Sequence, residues 1–177
     1  DGGNTVVINK PATPGLCIRH RGSDIEEATP IALPGTAISS AMMMLLTSYN
    51  IPEVEVHSRP AVAIIATGNE VKEHGSHLNE TEIVASSAYF LKEELEHCQC
   101  EASFLGIAPD DPDEFTRMME EALDCAQIVI TTAGVSMGEH DVVRIAMERL
   151  GGREVFWKTS VRPGKPLLVA TYGEKIH

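Results

Sequence analysis

The sequence predicts an α/β fold: a mostly parallel sheet in a three-layer α/β/α arrangement. Three observations carry the prediction. Residues 61–66, Ala-Val-Ala-Ile-Ile-Ala, form a continuous apolar run, as expected of a strand covered on both faces. From Pro60 onward, short apolar runs alternate with longer stretches of helical periodicity, the pattern of strand–helix–strand units in a parallel sheet. Each helical stretch carries one apolar stripe, so each can cover one face of that sheet.

Ahead of Pro60 the chain reads as extended and irregular. Val6-Val7-Ile8 and Gly15-Leu16-Cys17-Ile18-Arg19 are short strand candidates, broken by Pro11 and Pro14. Pro34-Gly35 marks a turn. Ile38, Ala41, Met42, Leu45 and Leu46 recur at helical spacing up to about Tyr49. The run Met42-Met43-Met44 reads as packed helix face, since Met fills irregular gaps. Pro52 and Pro60 frame a short strand over 54–57.

After the apolar run, residues 81–97 are expected to be helical, with Val84, Ala88, Leu91 and Leu95 on one face. Residues 104–108 are the second strand. Residues 113–125 are a helix buried through Phe115, Met118, Met119 and Ala122. Ile128-Val129-Ile130 is the third strand, ending in Thr131-Thr132. Residues 139–150 are a third helix, followed by strands at Val155-Phe156-Trp157 and Leu167-Leu168-Val169-Ala170.

Composition narrows the function. Hydrophobic residues at 43 % and charged residues at 23 % of 177 indicate a folded chain rather than a disordered one. The net charge of −12 argues against coating nucleic acid or anionic membrane. The charge is uneven: −3 over residues 1–58, −12 over 59–150 and +3 over 151–177. No apolar run approaches the ~20 residues that span a bilayer, and no signal-peptide pattern is visible. Cys17, Cys98, Cys100 and Cys125 lack zinc-ribbon spacing, so free thiols and a cytoplasmic location are expected. His74 and His77 have no partner cluster for a metal. The chain opens on Asp1 within a strand-like stretch and is expected to be part of a larger protein.

In open α/β sheets, ligands bind beyond the carboxyl ends of the strands. That rule selects Thr67-Gly68-Asn69-Glu70, Pro109-Asp110-Asp111-Pro112, and the loop from Ala133 through Gly134, Val135, Ser136, Met137, Gly138, Glu139 and His140 to Asp141. The glycines of the third loop let backbone N–H groups approach an anion at a helix start. It is neither a Walker loop nor the GxGxxG dinucleotide fingerprint. Glu70, Asp110, Asp111 and Asp141 gather at this edge and could hold a hard cation such as Mg²⁺. Lys158, Arg162 and Lys165 lie in a loop stiffened by Pro163-Gly164 and Pro166; Arg162 offers a bidentate fork and Lys165 a point charge for an oxyanion.

Taken together, these motifs resemble, in order and spacing, the MoeA/gephyrin E-domain family, the molybdopterin molybdenumtransferases. They are Thr67-Gly68-Asn69-Glu70, Gly106-Ile107 with Asp110-Asp111-Pro112, Gly134-Val135-Ser136-Met137-Gly138-Glu139-His140-Asp141, Phe156-Trp157-Lys158 and Arg162-Pro163-Gly164-Lys165-Pro166. Upstream, Arg19-His20-Arg21-Gly22-Ser23-Asp24-Ile25 is similar to the segment before the family's central helix. The resemblance implies Mg²⁺-dependent insertion of molybdate into adenylylated molybdopterin with release of AMP. It implies a MogA-like molybdopterin-binding domain over 59–177, truncated at its C-terminus, after the end of a β-rich domain and a connecting region with one helix over 1–58.

Carried over by position, Glu70, Asp110, Asp141 and Asp24 resemble functional acids, with Asp141 and Glu70 at the Mg²⁺. Thr67, Gly68, Gly134, Val135, Ser136 and Gly138 match pterin-phosphate and nucleotide contacts. Arg162 and Lys165 match the basic pair associated with molybdate, Lys158 matches another basic position, and Pro163 and Gly164 are carried over as binding residues of the same loop. The family implies a homodimer and a MogA-type adenylyltransferase as a partner. This chain departs from the family pattern at Ala133 (usually Gly), at Ala85-Ser86-Ser87 (usually Asp-Ser-Asn) and at Asn69 (usually Asp). The alternative implied by the departures at Ala85 and Ala133 is a binding or scaffold module of the same fold with impaired catalysis; relatives tolerate Asn69.

Overall fold

The computed structural model describes residues 3–4, 6–132, 142–173 and 175–176. The chain divides into two compact units, Asp1–Glu55 and Val56–His177.

In the first unit, the described residues before Ser39 form turns rather than strands, closed by bonds such as Leu16 N–H to Thr13 O and Ser23 N–H to His20 O. The strands expected at 6–8, 15–19 and 54–57 are absent here. A strand exists only as a paired ladder, and the prolines remove donors where a ladder would start. Val6, Val7 and Ile8 are accordingly exposed. Helix α1 spans Ser40–Ser48; Ser39 caps it by accepting from Met42 N–H at 3.3 Å, which leaves Ile38 outside the helix. The methionine run does not pack as expected: Met43 and Met44 are exposed, and Leu46 is the buried residue of α1.

The second unit is the predicted α/β sandwich. Its strands are β1 (Ala61–Thr67), β2 (Val71–Lys72), β3 (Ile83–Val84), β4 (Glu101–Ala108), β5 (Ile128–Thr132), β6 (Arg153–Trp157), β7 (Leu168–Tyr172) and β8 (Lys175–Ile176). Its helices are α2 (Ser86–His97), α3 (Pro112–Cys125) and α4 (Val142–Arg149). Six strands form one sheet in the order β4-β1-β5-β8-β7-β6; β2 and β3 form a small parallel pair beside it. Strands β4, β1, β5 and β8 are parallel, and β7 runs against both β8 and β6.

Strand β1 is the centre because its two faces feed two cores. Ala63 and Ile65 point to one face and pack with Phe115, Met119, Ala122 and Leu123 of α3 and Val143 and Ala146 of α4. Ile64 and Ala66 point to the other, where Val71, Ala85 and Ala88 close over them. This is the period-two alternation of a strand with both sides covered. A bulge in β4 inserts Leu105 between the partners of Ile64 and Ile65, with Gly106 at φ +128°. The extra residue explains why Phe104 and Ile107, three apart, serve the same core.

Helix α2 begins at Ser86, later than residue 81, because Ile83-Val84 pairs with Val71-Lys72. Val84 therefore lies outside the helical stripe of Ala88, Leu91 and Leu95. Helix α3 starts as its sequence dictates: Asp111 accepts from the N–H groups of Asp113 and Glu114 at 3.0 and 2.9 Å, and Pro112 needs no donor at the first position. Replacing Asp111 by alanine should cost about 1 kcal/mol, read as a lower denaturant midpoint with an unchanged slope. The four cysteines are free, and no described helix is long and apolar enough to cross a membrane.

Candidate functional site

Parallel pairing sets the site. Thr67 is level with Ala108 and Ala66 with Thr132, so β1, β4 and β5 end at one edge of the sheet. The first two selected loops leave that edge side by side. Thr67 is buried and donates from Oγ1 to Thr132 O at 3.3 Å, tying β1 to the end of β5. Gly68 N–H donates to Ala108 O at 3.2 Å.

Across this edge Asn69 and Asp110 hold each other. Asn69 N–H donates to Asp110 Oδ2 and Asp110 N–H donates to Asn69 Oδ1, both at 3.3 Å. The clasp fixes the first loop to the second, 41 residues away. The sequence marked Asn69 only as a departure from a pattern; its side chain turns out to position Asp110. Asp111 is taken up by capping α3, and the geometry assigns it no further role.

Gly68 has φ +127°, and a Cβ there would sit 2.8 Å from Glu70 Oε2. The Glu70 carboxylate thus lies folded over the bare Gly68 backbone. Glu70 is exposed, and among the described residues no protein donor engages its carboxylate. Among the described residues no three His, Cys, Asp or Glu side chains gather as a metal cluster. Two exposed acids, Glu70 and Asp110, on adjoining loops still match the habit of Mg²⁺, which takes one or two carboxylates and keeps water or substrate oxygens elsewhere.

The loop between β2 and β3 is tied to the same edge. Lys72 Nζ donates to Asn69 O at 3.2 Å and lies 3.5 Å from Glu82, whose Oε2 accepts from Asn79 N–H at 3.0 Å. The Asn79 bond, followed by Lys72, holds the Glu82 carboxyl below its ordinary 4.5, against a smaller opposing desolvation. A depressed folded-state pKa contributes stability above the unfolded value, and this is lost as pH falls through the folded value. Acidification below about 4.5 should therefore loosen this loop in the native protein, while Glu82→Gln removes that step; side-chain NMR titration of Glu82 checks it.

The basic loop emerges at the same edge, because β6 runs in the direction of β1, β4 and β5. It stands four strand spacings from β1, about 19 Å at roughly 4.8 Å each. Thr159 holds it together: its N–H donates to Lys165 O and its Oγ1 to Gly164 O, both at 3.0 Å. Arg162, Pro163, Gly164 and Lys165 are exposed, and neither cation has a protein partner among the described residues. Lys158 Nζ and Arg144 Cζ lie over the Trp157 ring, 3.9 and 4.2 Å from its centroid. No pattern in the sequence points to Arg144 here, since helix and strand meet only in the fold.

Asp24 belongs to the first unit, where it is ion-paired with Arg19. Ala133, Gly134, Val135, Ser136, Gly138 and Asp141 lie outside the described residues. The described site residues of the second unit therefore form two groups along one edge: Thr67, Gly68, Glu70 and Asp110, and then Lys158, Arg162, Pro163, Gly164 and Lys165.

Comparison with known proteins identifies the family to which the sheet belongs. The family described as "Probable molybdopterin binding domain" matches residues 63–176. The chain is 34 % identical over 169 residues to a molybdopterin molybdenumtransferase of Synechococcus elongatus, covering 94 % of this chain and 42 % of that protein. It is 32 % identical over 162 residues to one of Haemophilus influenzae, covering 92 % and 40 %. Its fold is similar to a molybdopterin biosynthesis MoeA protein from Pyrococcus horikosii, with a TM-score of 0.82 at 28 % identity, covering 96 % of this chain and 42 % of that one. The chain thus spans about two fifths of the length of these relatives. With the matched family covering residues 63–176, nearly all of the span from β1 to β8, the chain belongs to the molybdopterin-binding domain family, and its similarity within it runs to MoeA-type proteins.

Proposed function

We propose that the chain is the molybdopterin-binding part of a transferase of molybdenum cofactor biosynthesis, which inserts molybdate into adenylylated molybdopterin and releases AMP. The observation that carries the reading is the single edge bearing acids at one end and, about 19 Å away, cations that have no partner among the described residues. An adenylylated pterin is long enough to address both ends. Residues 59–177 are read as the MogA-like domain and 1–58 as the end of a β-rich domain with its connecting region.

Arg162 and Lys165 would hold the molybdate dianion through charge-assisted bonds, with Lys158 beside them and Pro163-Gly164 setting the turn. Thr67 and Gly68 bring bare backbone close to the ligand, and Gly134, Val135, Ser136 and Gly138 would receive its phosphate. Glu70 and Asp141 would hold Mg²⁺, with Asp110 adjoining. Bound there, Mg²⁺ supplies polarisation of the phosphoanhydride oxygens. Asp24 is read as a further acid from the first unit. A homodimer, a MogA-type adenylyltransferase as supplier of substrate, and a cytoplasmic location complete the proposal.

The second reading is a binding or scaffold module without turnover. It is favoured by Ala85, which stands at the α2 cap and makes no side-chain capping bond where the family pattern has Asp. One assay separates the two. The full gene-encoded protein is given adenylylated molybdopterin, molybdate and Mg²⁺, and AMP is followed. AMP release supports the transferase; bound ligand without AMP supports the module. In an active protein, Arg162→Ala combined with Lys165→Ala should raise the molybdate concentration needed for half-maximal rate about tenfold or more, the equivalent of one lost charged hydrogen bond. An unchanged molybdate response would refute the anion assignment.

A further inference from the structure

Lys158 opens the basic loop, and its backbone is unusual. Successive residues of a strand point to opposite faces, so a Lys158 that simply continued β6 would carry its ammonium away from the Trp157 ring. Lys158 instead takes φ +73°, a conformation disfavoured for any residue with a Cβ, and its N–H donates to Leu167 O at 2.8 Å. The reversal brings its ammonium to 3.9 Å from the indole centroid. The same ring carries Arg144 Cζ at 4.2 Å, and Arg144 in turn reaches Glu154 at 3.4 Å. Trp157 Nε1 is buried with no hydrogen-bond partner among the described residues. The ring is thus placed by packing and by cations, not by its polar atom. A solvated basic turn would need neither the strained backbone nor the stack; a lysine that must wait at a fixed point would use both.

We propose that Trp157 is a positioning residue: its ring, braced by Arg144, holds the Lys158 ammonium at the start of the basic loop for an incoming oxyanion. The proposal rests on the reading of Lys158, Arg162 and Lys165 as an oxyanion site, with molybdate as its probe. The ring acts through Lys158 and makes no contact with the anion of its own.

Trp157 is the only tryptophan of these 177 residues, so the part of the emission change that depends on Lys158 reports the stack. In the full protein, molybdate should change the emission saturably, and Lys158→Met should abolish the change. NMR should show the Lys158 ε-methylene protons shifted upfield by the ring current. Ordinary positions for them would overturn the proposal, because the stack would not exist in solution. By calorimetry, Trp157→Leu should weaken molybdate binding about two- to fivefold, and Trp157→Phe, which keeps a ring face, should recover most of it. If Trp157→Leu binds as wild type while Lys158→Met binds weakly, the positioning role is refuted and the oxyanion site stands. If wild type binds no molybdate, or Lys158→Met and Arg162→Ala bind it unchanged, the oxyanion reading itself fails and takes this role with it. The emission and NMR arms keep the intact indole, so they decide the matter even if Trp157→Leu does not fold.

Discussion

Phe115→Ala is expected to remove about 3–5 kcal/mol of stability, the largest loss from any single side chain among the described residues of the second unit. Phe115 is fully buried on α3, in the core that also receives Ala63 and Ile65 of β1 and Ala146 of α4. Five buried members of this core are alanines, Ala63, Ala108, Ala122, Ala126 and Ala146, which have no side-chain length with which to fill the vacated space. The cost is therefore transfer plus cavity, with little collapse to relieve it. Urea unfolding followed by circular dichroism measures it; a loss below about 1 kcal/mol would mean that α3 shifts as a unit to close the gap. Phe115→Leu should recover a large part, because it returns most of the apolar volume.

Gly68→Ala should act on stability and site together. The backbone at φ +127° is one that residues with a Cβ rarely adopt, and holding one there costs about 1–3 kcal/mol. The added methyl would also stand 2.8–2.9 Å from three atoms of the Glu70 carboxyl group, which must swing off. Glu70 is exposed and can move, so most of the stability cost should be backbone strain. A double-mutant cycle with Glu70→Ala tests that: removing the carboxylate should relieve only a minor part of the loss. The displaced carboxylate should be visible separately, as weaker Mg²⁺ dependence of AMP release in an active protein. Full relief by Glu70→Ala would show that the clash, not the φ angle, is what makes glycine necessary.

Much of the fold was legible because its strongest signals are local. The run at 61–66 can be satisfied only by cover on both faces, and β1 has it. The stripe of Phe115, Met119 and Ala122 sets α3 almost to the residue, while Asp111, read as a loop acid, proves to be its cap. The expected strands before Pro60 failed because strand-like composition says nothing about whether a partner exists. Two-residue strands such as Val71-Lys72 are too short to show a period, and the bulge at Leu105 depends on the register against β1. The candidate site divides the same way. The strand-end rule places Thr67, Glu70 and Asp110 on one edge, whereas the arrival of the basic loop there depends on the direction of β6, and the Asn69–Asp110 clasp and the Arg144–Trp157 contact join elements far apart in sequence.

The central position of β1 also shapes how this protein must be made. Both of its sheet partners follow it in the chain; Ala61 finds Gln127 only 66 residues later. At roughly 5–20 residues per second, a ribosome needs about 3–13 s to deliver the last of them. Through that interval the most apolar stretch of the sequence waits for one or both of its ladder partners. The nascent chain should therefore depend on chaperone cover most strongly between the emergence of β1 and that of β5, and pairing across this separation should make refolding slow.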